Sequence, residues 1–135
     1  MGVVEATYAE IKQQELKKNP YSCLSTAAID VNPHQVEAFT FSLAAMKLGG
    51  AVLADEVGLG KTIEAGLVLK YLLNSGSQKI LLVMPSNLRK QWQVELDEKF
   101  EVESFIVESG KWDEYKSYVK NESAVVIAVS YTHLR

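Results

Sequence analysis

The sequence holds one cysteine, two histidines and three prolines. A lone thiol forms no intramolecular disulfide, and Cys23 sits in a polar stretch with no histidine nearby, so neither a disulfide scaffold nor a thiol nucleophile is indicated. His34 and His133 are far apart and have no cysteine or carboxylate at ligand spacing, which argues against a structural metal site. A charged-then-apolar leader is missing, as is any apolar run near the ~18 residues that a membrane span needs. A soluble, reducing, cytoplasmic setting is therefore expected. Basic excess is also missing: 14 Lys and Arg stand against 17 Asp and Glu, a formal net charge of -3. Any contact with nucleic acid has to be local, because a globally basic surface is excluded.

What the chain does have is 135 residues, 47% of them hydrophobic, enough for one core. Residues 8–18 are strong helix formers with few apolar anchors and are stopped at Asn19-Pro20, so residues 1–31 read as a solvated helix and a linker. Asn32 followed by Pro33 supplies a helix cap and a proline at the first helical position. Val36, Phe39, Leu43, Met46 and Leu48 then recur at mostly three- and four-residue spacing up to Gly49-Gly50. Residues 51–54 form a short apolar run of strand size, and residues 62–74 a helix so apolar that most of its circumference must be covered. KILLVM at 79–84, residues 103–107 and residues 124–129 read as strands. Helices fall between them, one over 87–100 that Ser86 can cap and one within 111–120. Continuous apolar strands separated by helices predict the α/β class, a parallel sheet with both faces covered. A sheet ending after Val129 would leave an unfinished edge prone to self-association.

Chemistry concentrates in VLADEVGLGKTIEAG, a glycine loop between the run at 51–54 and the helix at 62–74. Gly58 and Gly60 lack side chains that would hold the backbone away from a polyphosphate, so successive amides, that of Leu59 included, can turn inward as an anion nest. The helix that follows adds its N-terminal partial positive charge at the same point. In such a loop Lys61 reaches the β- and γ-phosphate oxygens of ATP, and Thr62 presents its hydroxyl to Mg2+. The common phosphate-loop pattern begins with glycine, whereas this loop begins with Asp55 and Glu56. Two carboxylates repel phosphate, so these residues order the loop or meet magnesium through water.

DEVGLGKTIEAG resembles the first ATPase motif of Swi/Snf-type translocases of helicase superfamily two, in particular bacterial members similar to RNA-polymerase-recycling ATPases. Two further segments fit that family in order and spacing. In NPHQVEA the resemblance makes Gln35 the adenine-reading glutamine; a solvated helix glutamine is the plainer alternative. ILLVMPSNLRKQWQVELDEKF resembles the segment whose strand delivers Pro85, Ser86 and Asn87 to a nucleic-acid phosphate. Arg89 and Lys90 either supplement that contact or are simply solvated, and Trp92 reads as core. Ser130-Tyr131, at the end of the last strand, resembles the next element that contacts nucleic acid.

The resemblance implies a RecA-like phosphate-loop lobe, three-layered and incomplete, over residues 32–135. It also implies a parent motor that couples ATP hydrolysis to movement on double-stranded DNA, in a prokaryotic cytoplasm beside the nucleoid. Partners would be duplex DNA and RNA polymerase or another DNA-bound protein. The family's later Asp-Glu motif and its second lobe are not in this sequence, so binding of ATP without useful turnover is expected. Two other readings stay open, a different phosphate-loop NTPase and a non-catalytic interaction module with an inactive loop.

Overall fold

The computed structural model describes residues 30–54 and 60–130. Two units divide the chain, Met1–Gly76 and Ser77–Arg135. The helix expected over 8–18 and Cys23 lie outside the described residues.

In the first unit, α1 spans Pro33–Met46 and α2 spans Lys61–Asn74. Asn32 caps α1 from an extended conformation, φ -77° and ψ 152°, and Pro33 opens the helix where a missing N–H costs nothing. A capping box closes the start: the Gln35 carboxamide turns back and its Oε1 accepts the Asn32 N–H at 3.0 Å. The buried stripe of α1 is Gln35, Phe39 and Ser42, spaced four and three residues apart. Two of these three are polar. Ser42 satisfies its hydroxyl within the helix by donating to the Ala38 carbonyl at 2.7 Å, and Phe39 meets Tyr71 of α2 edge to face, with ring centres 6.0 Å apart. Leu48, expected on the same stripe, falls in the turn beyond Met46 and is 91% exposed. The apolar period runs past the point where the helix ends.

The strand expected at residues 51–54 does not form. Val52 is 83% exposed, and among the described residues no strand pairs with the segment. Four apolar residues are suited to a ladder, but the hydrogen bonds that make a strand come from a neighbour, which local composition does not report. On α2, Glu64, Gly66, Leu67 and Leu69 are buried and most of the remaining residues are half-buried, in line with its all-round apolar character.

The second unit is a three-stranded parallel sheet built from β1 (Lys79–Met84), β2 (Phe105–Ile106) and β3 (Ala124–Val129), in the order β1-β3-β2. Between strands run α3 (Arg89–Phe100) and α4 (Trp112–Tyr118). Strands alternating with helices in one parallel sheet give the α/β class that the sequence pattern predicts. All six residues of β1 are in register with β3, Lys79 opposite Ala124 and Met84 opposite Val129. β3 is therefore the middle strand, with Ala124 to Ile127 buried. The last strand in sequence is therefore not itself an edge of the sheet. The edges among the described strands are β1 and β2, and on β1 Leu81 and Val83 are 63% and 57% exposed although the strand is almost as apolar as β3. Apolarity marks what a strand tolerates; which face is covered depends on elements far away in sequence.

Leu96 and Phe100 of α3 are fully buried in this unit's core. The helix ends at Glu101, held left-handed at φ 53°, and the Val102 N–H returns to the Leu96 carbonyl at 3.0 Å. Lys79 fastens the start of β1 to the end of α4: its Nζ donates to the Val119 carbonyl at 2.7 Å and to the Asn121 carbonyl. An ammonium group there also complements the negative end of the helix dipole. Tyr118 ties α4 to the sheet. Its ring stacks on Phe105 at 5.1 Å, its hydroxyl accepts the Val125 N–H at 3.3 Å, and the carbonyls of Glu103 and Val125 lie 3.3 Å away to take its single proton.

Burial pushes the Tyr118 phenol above its ordinary value of 10.0, the Val125 backbone bond opposes that, and the nearby Glu103 carboxylate adds to it. The fold thus favours the neutral phenol. Its contribution is fully present below pH 10.0 and is lost as pH rises through the higher folded value. Tyr118→Phe is expected to lower stability by about 1 kcal/mol at neutral pH. It should also remove this part of the stability loss at high pH, as read from urea denaturation across pH 8 to 11.

Candidate functional site

Gly60 enters α2 in the left-handed region, φ 84° and ψ 45°, and its carbonyl accepts the N–H groups of Ile63 at 3.0 Å and Glu64 at 3.3 Å. A left-handed N-cap is costly for any residue with a Cβ, so the turn requires glycine. Lys61 and Thr62 are the first two residues of the helix it opens. Helix geometry gives first-turn amides no intrahelical acceptor, so this end of α2 presents donors and the positive end of the dipole at one point. Gly58, Leu59, Asp55 and Glu56 lie outside the described residues.

Gln35 is brought to the same place. It is only 2% exposed, so it is no solvated helix glutamine. A Cβ built on Gly60 would stand 2.6 Å from Gln35 Nε2. Glycine is therefore favoured at position 60 on two counts, its backbone angle and the amide pressed against it. The carboxamide spans two helix starts, with its oxygen at the N-cap of α1 and its nitrogen at the N-cap of α2.

Sequence reasoning gave no role to Glu64, which is fully buried in the first turn of α2. Its place three residues after Lys61 is the signal that could have drawn attention to it. A carboxylate near a helix N-terminus is stabilised by the dipole, yet a buried one is rare enough to mark a site under constraint.

In the second unit the structure gathers the other predicted residues at the carboxyl ends of the strands. Pro85, Ser86 and Asn87 follow β1 directly and are exposed. Ser130 follows β3, is exposed, and donates its N–H to the Met84 carbonyl at 2.9 Å, which continues the ladder by one rung. The in-register parallel pairing places the two segments side by side. Tyr131 lies outside the described residues.

The turn after β1 differs from expectation in one respect. Ser86 makes no capping hydrogen bond from its side chain. The chain instead enters α3 through a 3-10 turn over Ser86–Leu88, closed by the Leu88 N–H on the Pro85 carbonyl at 3.1 Å. The side chains of Ser86 and Asn87 are not needed to start the helix. Arg89 braces this turn: Nε donates to the Ser86 carbonyl at 3.2 Å and a terminal nitrogen to the Val107 carbonyl at 3.1 Å. A guanidinium spent on two main-chain carbonyls shapes the edge, whereas Lys90 is exposed there. Trp92, read as core, is half-buried.

A groove of about 400 Å³ lies elsewhere in the second unit, lined by Lys79, Leu81, Tyr115, Val119 and Val126. It is mostly apolar and contains none of the residues assigned to nucleotide or nucleic-acid contact. Among the described residues there is no group of three or more His, Cys, Asp and Glu able to hold a metal ion, and no helix is long and apolar enough to cross a membrane.

Gly60→Ala is expected to destabilise the first unit by about 1 to 3 kcal/mol, through left-handed strain and the collision with Gln35. In urea denaturation, combining it with Gln35→Ala should recover the collision part and leave the strain.

The SNF2-related domain family matches residues 34–135. An uncharacterized ATP-dependent helicase of Bacillus subtilis (strain 168), YqhH, is 42% identical over 97 residues, covering 71% of this chain and 16% of that protein. The chain thus spans about a sixth of the length of the relative it matches. The three-stranded parallel sheet with its helices agrees with an incomplete RecA-like lobe. The chain belongs to the SNF2-related domain family.

Proposed function

We propose that this chain is the ATP-binding front portion of a Swi/Snf-type motor that uses ATP hydrolysis to move along duplex DNA. The observation that carries the reading is Gly60 in the left-handed region, opening a helix whose first residues are Lys61 and Thr62. That local geometry suits a polyphosphate: donors converge, the dipole is positive, and a side-chain ammonium group stands one residue on.

Lys61 holds the β- and γ-phosphate oxygens by charge, and Thr62 offers a hydroxyl oxygen, the hard donor that magnesium prefers. Bound Mg2+ would neutralise charge on the phosphates. Gln35 belongs to the nucleobase side of the same site. Gly58 and Leu59 complete the amide cradle in this reading.

The nucleic-acid side is the carboxyl edge of the sheet. Pro85, Ser86, Asn87 and Ser130 are exposed together there, with Tyr131 next in the chain. Main-chain amides and short hydroxyl or amide side chains hold backbone phosphates without reading sequence, as a motor that passes over any sequence requires. Residues 32–135 are then part of one lobe of a cytoplasmic protein whose further parts act on a DNA-bound partner such as RNA polymerase.

Cradling phosphate and cleaving it are separable. The residues here bind, whereas a metal-holding carboxylate pair after an apolar strand and arginines for the transition state are not among the motifs of this chain. In a titration of fluorescent ATP with magnesium, the wild-type chain should bind and Lys61→Ala should bind at least about tenfold more weakly. A steady-state phosphate-release assay on the same sample should show no appreciable turnover. Unchanged affinity in Lys61→Ala would favour an interaction module with an inactive loop, and robust turnover would contradict the separation of binding from catalysis.

A further inference from the structure

Among the described strands β2 pairs on one side alone, with β3. The Val107 N–H goes inward to the Ile127 carbonyl at 2.9 Å, and the alternation of the ladder turns the Ile106 N–H the other way. A cavity of about 130 Å³ lies at that outer edge. Both Phe105 and Ile106 line it, although successive strand residues leave opposite faces of a sheet, and Lys90 and Gln93 of α3 close it from one side. Glu108 and Lys111, beyond the strand, complete the wall.

Ser104 also lines this cavity. It is only 8% exposed, and its Oγ has no hydrogen-bond partner among the described residues. Gln93 Nε2 donates to the Ser104 carbonyl at 2.9 Å, which ties the residue to α3 through its main chain and leaves the hydroxyl unused. A buried hydroxyl without a partner is costly, so a group that comes to it is rewarded. The volume is roughly ten times the space that one water needs, so a larger polar group can enter. Lys90 and Lys111 bring two positive charges to the wall and Glu108 one negative, a formal net of +1. Lys111 is half-exposed and lies 3.6 Å from Glu108 and 3.9 Å from Glu114. Such long, hydrated pairs are weak and yield to a better acceptor.

We propose that the outer edge of β2 carries a binding site for a phosphate group: the Ser104 hydroxyl and the Ile106 N–H donate to its oxygens, and Lys90 and Lys111 neutralise its charge. A hydroxyl, a main-chain amide and two ammonium groups make a donor set suited to a charged oxyanion. The site is separate from the start of α2 and stands whether or not Lys61 holds ATP. Lys90 comes two residues after the Ser86–Leu88 turn, so the phosphate is either one of a nucleic-acid backbone crossing that edge or a free phosphate ion.

The experiment follows the amide chemical shifts of the isotope-labelled 135-residue chain during titration with inorganic phosphate, at an ionic strength held constant with chloride, and separately with a duplex DNA oligonucleotide. Phosphate should move the Ser104 and Ile106 amides along a saturating curve. Ser104→Ala should weaken that binding about tenfold, and Lys90→Gln combined with Lys111→Gln should remove the saturation. If DNA moves the same two amides, the group is a backbone phosphate; if inorganic phosphate alone moves them, it is a free ion. No response of these amides to either probe overturns the proposal, and so does an unchanged affinity in Ser104→Ala. Urea denaturation gives a second reading. Without phosphate Ser104→Ala should be no less stable than wild type, and added phosphate should stabilise wild type more than the variant. A variant already less stable without phosphate would show the hydroxyl to be satisfied within the protein, which also overturns the proposal.

Discussion

The left-handed turn at Gly60 is the constraint on which the candidate site depends. A residue with a Cβ there would be strained and would meet the Gln35 amide. Its carbonyl takes the first two helical hydrogen bonds of α2 while the chain enters through a left-handed turn that residues with a Cβ rarely adopt. Lys61 and Thr62 are placed by that turn, and so is the close approach of Gln35. One backbone angle thus sets three of the residues assigned to nucleotide binding.

A second constraint acts in the other unit, through strand register. β1 and β3 run parallel and end together, so whatever follows Met84 lies beside whatever follows Val129. The Ser130 N–H on the Met84 carbonyl carries the alignment past the formal end of the strands. Parallel sheets deliver their loops to one edge for this reason, and the segments after the strands become a surface without any one of them having to be long. Arg89 stiffens that edge from behind through the Ser86 and Val107 carbonyls.

Much of this was legible because it is local. Asn32-Pro33 marks a helix start by its own chemistry, GLGKT by its glycines, and the apolar runs at 79–84 and 124–129 by composition. What stayed hidden was set by distant neighbours. The run at 51–54 looks like a strand but gains no ladder partner among the described residues, and β1 looks as buried as β3 until the order of the sheet is known. Arg89 is a charged residue early in a helix, and nothing in its spacing announces carbonyls on two separate strand ends. Gln35 was singled out by resemblance, yet its burial and its hold on Asn32 depend on the packing of α1 and on Gly60. The burial of Glu64 had no sequence signal beyond its place in the first turn of α2.

The most direct test of the central claim is amide chemical-shift mapping of the isotope-labelled chain on addition of ATP and magnesium. If polyphosphate is held by the amino end of α2, the largest shifts fall on the amides from Gly60 to Glu64 and on the Gln35 side-chain amide. Shifts centred instead on the apolar groove beside Lys79 and Tyr115, with the start of α2 unmoved, would contradict it.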